Sequence, residues 1–189
     1  MKKRVFIIHG WAGNPLEGWF PWLKRTLESE GFEVHVPKMP DTNHPIIKSW
    51  VSHLRKIVKK SDTNTYFIGH SIGCQAILRY VQNVREEIGG MIFVAGWFHL
   101  QNLSSAQERA IVSSWKEDTI QFKEILKKTR KCVAIFSDND MYVPLTNAKI
   151  FREKLHAKII IEKKKGHYSG EDGILMVPRV QKELEKIAS

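Results

Sequence analysis

The sequence predicts an α/β fold: a three-layer α/β/α sandwich around a doubly wound, mostly parallel six-stranded sheet. Two observations predict it. Short continuous apolar runs, which suit strands buried on both faces, alternate with amphipathic helical stretches along the chain. Two glycine-bearing turns, His9-Gly10 and Gly69-His70-Ser71-Ile72-Gly73, follow the first and third of those runs. In the strand order 2-1-3-4-5-6 these two strands are neighbours at the switch point, where diverging loops open a crevice. No repeat, linker or low-complexity tract interrupts residues 1–189, so one domain with a sizeable core is expected.

Arg4–His9 is the first strand, ending at His9-Gly10-Trp11-Ala12-Gly13. Trp19–Glu30 is a helix, with Trp19, Trp22, Leu23 and Leu27 on one face and Gly31 as its stop. Phe32–Val36 is a short second strand, closed by Pro37 and Pro40. Pro45–Lys60 is the second helix, its apolar residues from Ile46 to Val58 recurring at helical spacing. Thr65–Gly69 and Ile72–Val84 are the third strand and third helix, and Met91–Ala95 the fourth strand. The segment 96–130 is the least regular; a helix around Thr119–Lys128 closes it, and the rest is expected to form a pocket wall. Cys132–Phe136 and Lys158–Ile161 are the last two strands, with a helix at Leu145–Leu155 between them and one at Val177–Ile187 after them.

Composition narrows the function. The net charge is +10, yet the basic residues are scattered and carry no interleaved aromatics, so a solvated basic surface is expected rather than a nucleic-acid partner. The apolar run after Lys2-Lys3-Arg4 stops within four residues, too short for a secretory signal, and no run is long enough to cross a membrane. Cys74 and Cys132 are expected to be free buried thiols, which suits a cytoplasmic protein.

The chemistry centres on Tyr66-Phe67-Ile68-Gly69-His70-Ser71-Ile72-Gly73, a strand running through Gly-x-Ser-x-Gly into a helix. That order is what a nucleophile elbow requires. The sharp turn strains the serine backbone, so the positions two away must be small, which accounts for Gly69 and Gly73. Serine needs a base and the base an orienting acid, in the chain order Ser, then Asp or Glu, then His, on loops leaving later strands. After the fifth strand stand Asp138 and Asp140; Asp140 lies farther beyond the strand end and is favoured, with Asp138 expected to hold the turn. After the sixth strand stands Gly166-His167, and His167 is the expected base. His70 adjoins the nucleophile and is expected to face away from it, while His9 is expected to brace the first turn. The oxyanion that forms during attack needs fixed donors: the Ile72 N–H at the helix start and the Trp11 N–H of the first turn are expected to supply them. Trp97, Phe98 and Trp115 are candidate pocket residues. No paired His/Cys/Asp spacing typical of a metal site occurs, and no cofactor is expected.

These residues resemble the α/β-hydrolases, and closely the small serine hydrolases related to retinoblastoma-binding protein nine. The similar stretches are His9-Gly10 with Gly18-Trp19-Phe20-Pro21-Trp22-Leu23; Met39-Pro40-Asp41 with Trp50; Gly69-His70-Ser71-Ile72-Gly73; Ser137 through Pro144; and Gly166-His167. The resemblance implies a minimal α/β-hydrolase fold with little or no cap, and makes Ser71 the nucleophile, Asp140 the acid and His167 the base. The stretch Trp97–Trp115 matches no part of the pattern. The leading expectation is a cytoplasmic serine hydrolase whose partner is a small-molecule carboxylic ester, thioester or amide. The competing expectation is a protein-binding module on a hydrolase scaffold.

Overall fold

The computed structural model describes residues 2–117 and 119–189. Among them, six strands form one sheet: β1 (Arg4–Ile8), β2 (Glu33–His35), β3 (Thr65–His70), β4 (Gly90–Val94), β5 (Cys132–Ser137) and β6 (Lys158–Glu162). They lie in the order β2-β1-β3-β4-β5-β6, as expected, and every pairing is parallel. β3, β4 and β5 are buried at every position, which is why they read as unbroken apolar runs. The edge strand β6 is only partly covered, and Ile161 is exposed.

Seven helices cover the sheet among the described residues. α1 (Phe20–Ser29) and α7 (Pro178–Ala188) pack together, α1 against β2 and α7 against β4. α2 (Ile47–Val58), α3 (Ile72–Val81), α5 (Phe122–Lys128) and α6 (Thr146–Leu155) form a second layer, α3 contacting both α2 and α5. α1 ends in a Schellman motif: Gly31 N–H donates to Glu28 O and Phe32 N–H to Leu27 O. The turn needs Gly31 at φ 91°, which explains why the helix stops there.

The segment 96–130 departs from expectation. It holds a twelve-residue helix, α4 (Ala106–Glu117), before α5. Only Val112 and Trp115 of α4 are buried, so its apolar stripe is too sparse to announce a helix. A local signal was nevertheless present in Ser105-Ala106-Gln107-Glu108, a capping box. The Ser105 hydroxyl accepts from the Glu108 N–H at 3.0 Å, and the Glu108 carboxylate accepts from the Ser105 N–H at 2.9 Å.

What places the centre of the molecule is the close approach of α3 to β1. A methyl group added at Gly73 would overlap the carbonyl oxygen of Ile8 and lie 2.7 Å from that of His9. One added at Gly69 would lie 2.8 Å from the Cys74 backbone. The small residues flanking Ser71 are therefore set by backbone contact on both sides.

Gly73→Ala should accordingly push α3 off β1. Overpacking of this kind costs about 1–3 kcal/mol, and the melting temperature should fall by roughly 2–4 °C for each kcal/mol lost in a chain of this size. A thermal melt followed by far-ultraviolet circular dichroism checks it; an unchanged midpoint would mean that the helix is not seated this tightly.

Candidate active site

Ser71 joins β3 to α3 with φ 52° and ψ −121°, a conformation that a non-glycine residue rarely adopts. Such backbone strain costs on the order of 1–3 kcal/mol and persists only where the surroundings hold it. Here the Ser71 N–H donates to Val94 O at the end of β4, 3.0 Å away, and the Cys74 N–H donates to Ser71 O at 3.0 Å. Ser71 lies at the C-terminal end of the central strands and is mostly buried.

The loop after β5 supplies Asp140 and the loop after β6 supplies His167. Asp140 Oδ1 accepts the N–H groups of Tyr142 and Val143 at 2.9 and 3.0 Å. Its Oδ2 lies 2.8 Å from His167 Nδ1. His167 Nε2 in turn lies 3.0 Å from Ser71 Oγ. Because a carboxylate only accepts, Nδ1 carries the imidazole proton, and Nε2 is left to accept from the serine hydroxyl. The side chains of Asp140 and His167 are 2% and 15% exposed, so this chain of bonds is shielded while its histidine end stays reachable. The edge of the Tyr142 ring packs against the His167 ring, with 5.4 Å between centroids.

Asp138 has another task. Four consecutive side chains, from the last residue of β5 onward, each bond to the loop after β6 beside them. Asp138 Oδ1 accepts the Lys164 N–H at 2.8 Å, Ser137 Oγ the Lys165 N–H at 2.9 Å and Asn139 Oδ1 the Gly166 N–H at 2.9 Å; Asp140 takes the His167 ring. Asp138 was expected to hold its own turn and instead holds the neighbouring one. The parallel pairing of β5 with β6 puts the two loops side by side. Tyr168 then anchors the loop after β6: it is buried, and its hydroxyl donates toward Phe136 O at 3.1 Å. The Trp19 indole N–H donates to Tyr168 O at 2.9 Å. No sequence signal marked Tyr168, because a tyrosine after His167 looks like any aromatic residue of the core.

The first turn is braced as expected. The His9 ring is fully buried; its Nε2 accepts the Met39 N–H at 3.1 Å, and its Nδ1 lies 3.0 Å from Gly10 O. The turn runs alongside the elbow, since a methyl group added at Gly10 would lie 3.4 Å from Ser71 Cβ. Trp11 is partly exposed, and its indole N–H donates to Asn43 O at 3.0 Å. Ile72 opens α3, so its N–H belongs to the first turn of the helix, which has no partner within the helix.

Two of the three pocket candidates need correction. Trp115 is wholly buried: its indole N–H donates to Pro45 O at 2.8 Å, its ring meets Trp50 edge-on, and the Arg79 guanidinium sits over it. Trp97 is 1% exposed. Both are core residues rather than walls of an open pocket. Phe98 is half-buried and packs on Phe122 and Phe151. The loop carrying it is pinned by a residue the sequence did not single out: Asn147 Oδ1 accepts the Phe98 N–H at 2.7 Å, and its amide donates to His99 O at 3.0 Å. Cavity size does not mark the site either. A concavity of about 530 Å³ lies along Lys2, Glu30, Phe32 and Ala188, at the other end of the sheet, where none of this chemistry is present.

A serine-hydrolase family model matches residues 5–186. The chain belongs to the serine hydrolase family. It is 29% identical to YdeN of Bacillus subtilis over 182 residues, covering 95% of this chain and 93% of that protein. The crystal structure of YdeN superposes with a TM-score of 0.89, at 98% coverage of both chains and 26% identity. The serine hydrolase RBBP9 of Rattus norvegicus is 24% identical over 168 residues, 87% of each chain. Est1E of Butyrivibrio proteoclasticus shares the fold alone, with a TM-score of 0.73 at 16% identity, covering 100% of this chain and 89% of that one. Members of this hydrolase family are enzymes, and no helix of this one is long and apolar enough to cross a membrane among the described residues.

Two buried imidazoles make the fold acid-sensitive. Burial, and next the nearby His167 ring, lower the pKa of His70 to about 3; burial also lowers that of His9. Imidazoles of an unfolded chain take up protons below about pH 6.5. Unfolding therefore gains protons, so this part of the stability is complete above that pH and is lost as the pH falls toward 3, where folded His70 titrates. His70 removes up to about 1.4 kcal/mol per pH unit in that window. Urea midpoints at pH 7, 5.5 and 4.5 should fall steeply in the native protein and less steeply in His70→Gln; equal slopes would show that His70 is not held neutral.

Proposed function

We propose that this protein hydrolyses a small carboxylic ester, thioester or amide, with Ser71 as nucleophile, His167 as base and Asp140 as acid. One observation carries the reading: the unbroken chain from Asp140 Oδ2 through the His167 ring to Ser71 Oγ, at 2.8 and 3.0 Å, ending on a strained elbow. A serine that merely turned the chain would need neither the strain nor the two partners.

Each step follows from these atoms. Ser71 Oγ forms a bond to the acyl carbon while its proton passes to His167 Nε2. The carbonyl π electrons move onto oxygen, and that oxyanion faces the N–H groups of Ile72 and Trp11, fixed at the start of α3 and in the first turn. The carbonyl re-forms, the bond to the leaving group breaks, and His167 returns the proton to the departing atom. Water repeats the sequence on the acyl-enzyme: His167 takes its proton, the bond to Ser71 Oγ breaks, and the serine is restored. Asp140 remains ionised throughout and holds the imidazole in the required tautomer. The free, buried thiols of Cys74 and Cys132 fit a reducing, cytoplasmic setting.

Asp140→Asn should leave the protein folded and lower kcat by up to about four orders of magnitude, through the wrong histidine tautomer. Asp138→Asn loses at most the bond to Lys164 and should cost far less. p-Nitrophenyl esters of graded acyl length measure both, and a reversed ranking in folded variants would reassign the acid. A fluorophosphonate should label native protein stoichiometrically at Ser71, and neither Ser71→Ala nor heat-unfolded protein. Native protein that takes no label from a small probe would instead favour a binding module on this scaffold.

A further inference from the structure

Two side chains bond to the backbone of residue 167, in addition to the bonds made by its ring. The His167 N–H donates to Asp172 Oδ2 at 2.8 Å. The same oxygen accepts the Ser169 N–H at 3.0 Å and the Ser169 hydroxyl at 2.7 Å, while the Ser169 hydroxyl accepts the Asp172 N–H at 3.1 Å. The carboxylate also occupies the space that a side chain at 166 would need: Asp172 Oδ2 would lie 2.8 Å from a methyl group added at Gly166. Gly166 is thus required both by its φ of 53° and by the carboxylate above it. On the other side of the residue, His70 Nε2 lies 2.7 Å from His167 O. A carbonyl only accepts, so His70 Nε2 carries its proton and donates. The His70 ring lies beside the His167 ring, 5.1 Å between centroids, and is held by the edges of Trp19 and Phe20.

We infer that Asp172 and His70 are positioning residues of the base. They grip the two polar groups of the His167 backbone from opposite sides and so fix where its imidazole sits. The ring alone cannot do this. Asp140 and Ser71 hold it at both nitrogens, but the Ser71 proton leaves during attack, and the ring must then keep its place with one of its two partners changed. A base on a loop stays in register through such a step only if its backbone is anchored independently of the ring. The grip combines a carboxylate bond, stronger than a neutral one, with a neutral donor from the strand that carries the nucleophile. Because His70 directly precedes Ser71, the clamp ties base and nucleophile to one rigid element.

Asp172 also places a negative charge near His167, and the two interact electrostatically. The other groups facing the ring are the Asp140 carboxylate, the neutral His70 ring and the Tyr142 ring. Position and charge are therefore separable. Asparagine keeps an acceptor at Asp172 and removes only the charge; alanine removes both. At His70, glutamine keeps a donor near Nε2, while phenylalanine keeps a ring and loses the donor.

The inference rests on the hydrolase reading above, and the test separates the two. Native protein is first labelled with a fluorophosphonate; no label at Ser71 would refute the hydrolase reading and the clamp with it. With labelling established, steady-state kinetics on a p-nitrophenyl ester and thermal melts are measured for Asp172→Ala, Asp172→Asn, His70→Phe and His70→Gln. A displaced base should lower kcat about 10- to 100-fold in the alanine and phenylalanine variants with KM changed by less than about threefold. Asparagine and glutamine should restore most of kcat. If Asp172→Ala fails to fold, the His70 pair still decides. Folded alanine and phenylalanine variants with native kcat overturn the clamp and leave the triad standing; losses that follow melting temperature and that asparagine and glutamine do not relieve also overturn it, as a structural effect only.

Discussion

The site depends on one close approach of backbone to backbone, that of α3 to the end of β1 at Gly73. It seats the helix low enough for Ser71 to adopt its φ of 52°, with its N–H spent on the end of β4. Strain at one residue is affordable when three neighbouring strands hold it, and β1, β3 and β4 are consecutive in the sheet. The same contact brings the His9-Gly10-Trp11 turn beside the serine. The strained serine and the turn beside it are thus two consequences of a single packing constraint.

The loops after β5 and β6 obey a different logic. Each loop has turn bonds of its own, and a row of side-chain bonds then ties the two together. Ser137, Asp138 and Asn139 accept backbone N–H groups of the loop after β6, and Asp140 completes the row on the His167 imidazole. A run of four short polar side chains does what a strand pairing does elsewhere, past the point where β5 and β6 end. Their reach is short and their rotamers are few, so the row fixes distance as well as direction. Tyr168 and Trp19 lock the far side of that loop into the core.

Much of this was legible in the chain itself. The elbow declares itself because its glycines, its serine and its flanking strand and helix all lie within one local stretch, and the order of the later loops then points to Asp140 and His167. The strand order was legible for the same reason: two glycine turns that must share a crevice constrain which strands are neighbours. α4 was missed because a helix with two buried residues has almost no periodicity, although its capping box was there to read. The aromatic residues misled, because Trp97 and Trp115 have the composition of a pocket wall and the burial of a core.

By itself, then, the sequence determined the all-α-and-parallel-β layering, the elbow and the identities of the three residues now joined by hydrogen bonds. Those are properties of local pattern and chain order, and hydrophobic periodicity with turn chemistry suffices to express them. Only the tertiary structure decided which polar residues work on the backbone of a distant loop. Asp138 reaches Lys164, Asn147 pins the loop of Phe98, and His70 and Asp172 meet the two sides of residue 167. A side-chain bond to a backbone N–H or carbonyl leaves no trace at the accepting or donating position, because every residue but proline carries the same two groups. Such contacts have a partner on one side of the sequence only, and folding alone says where the other side is.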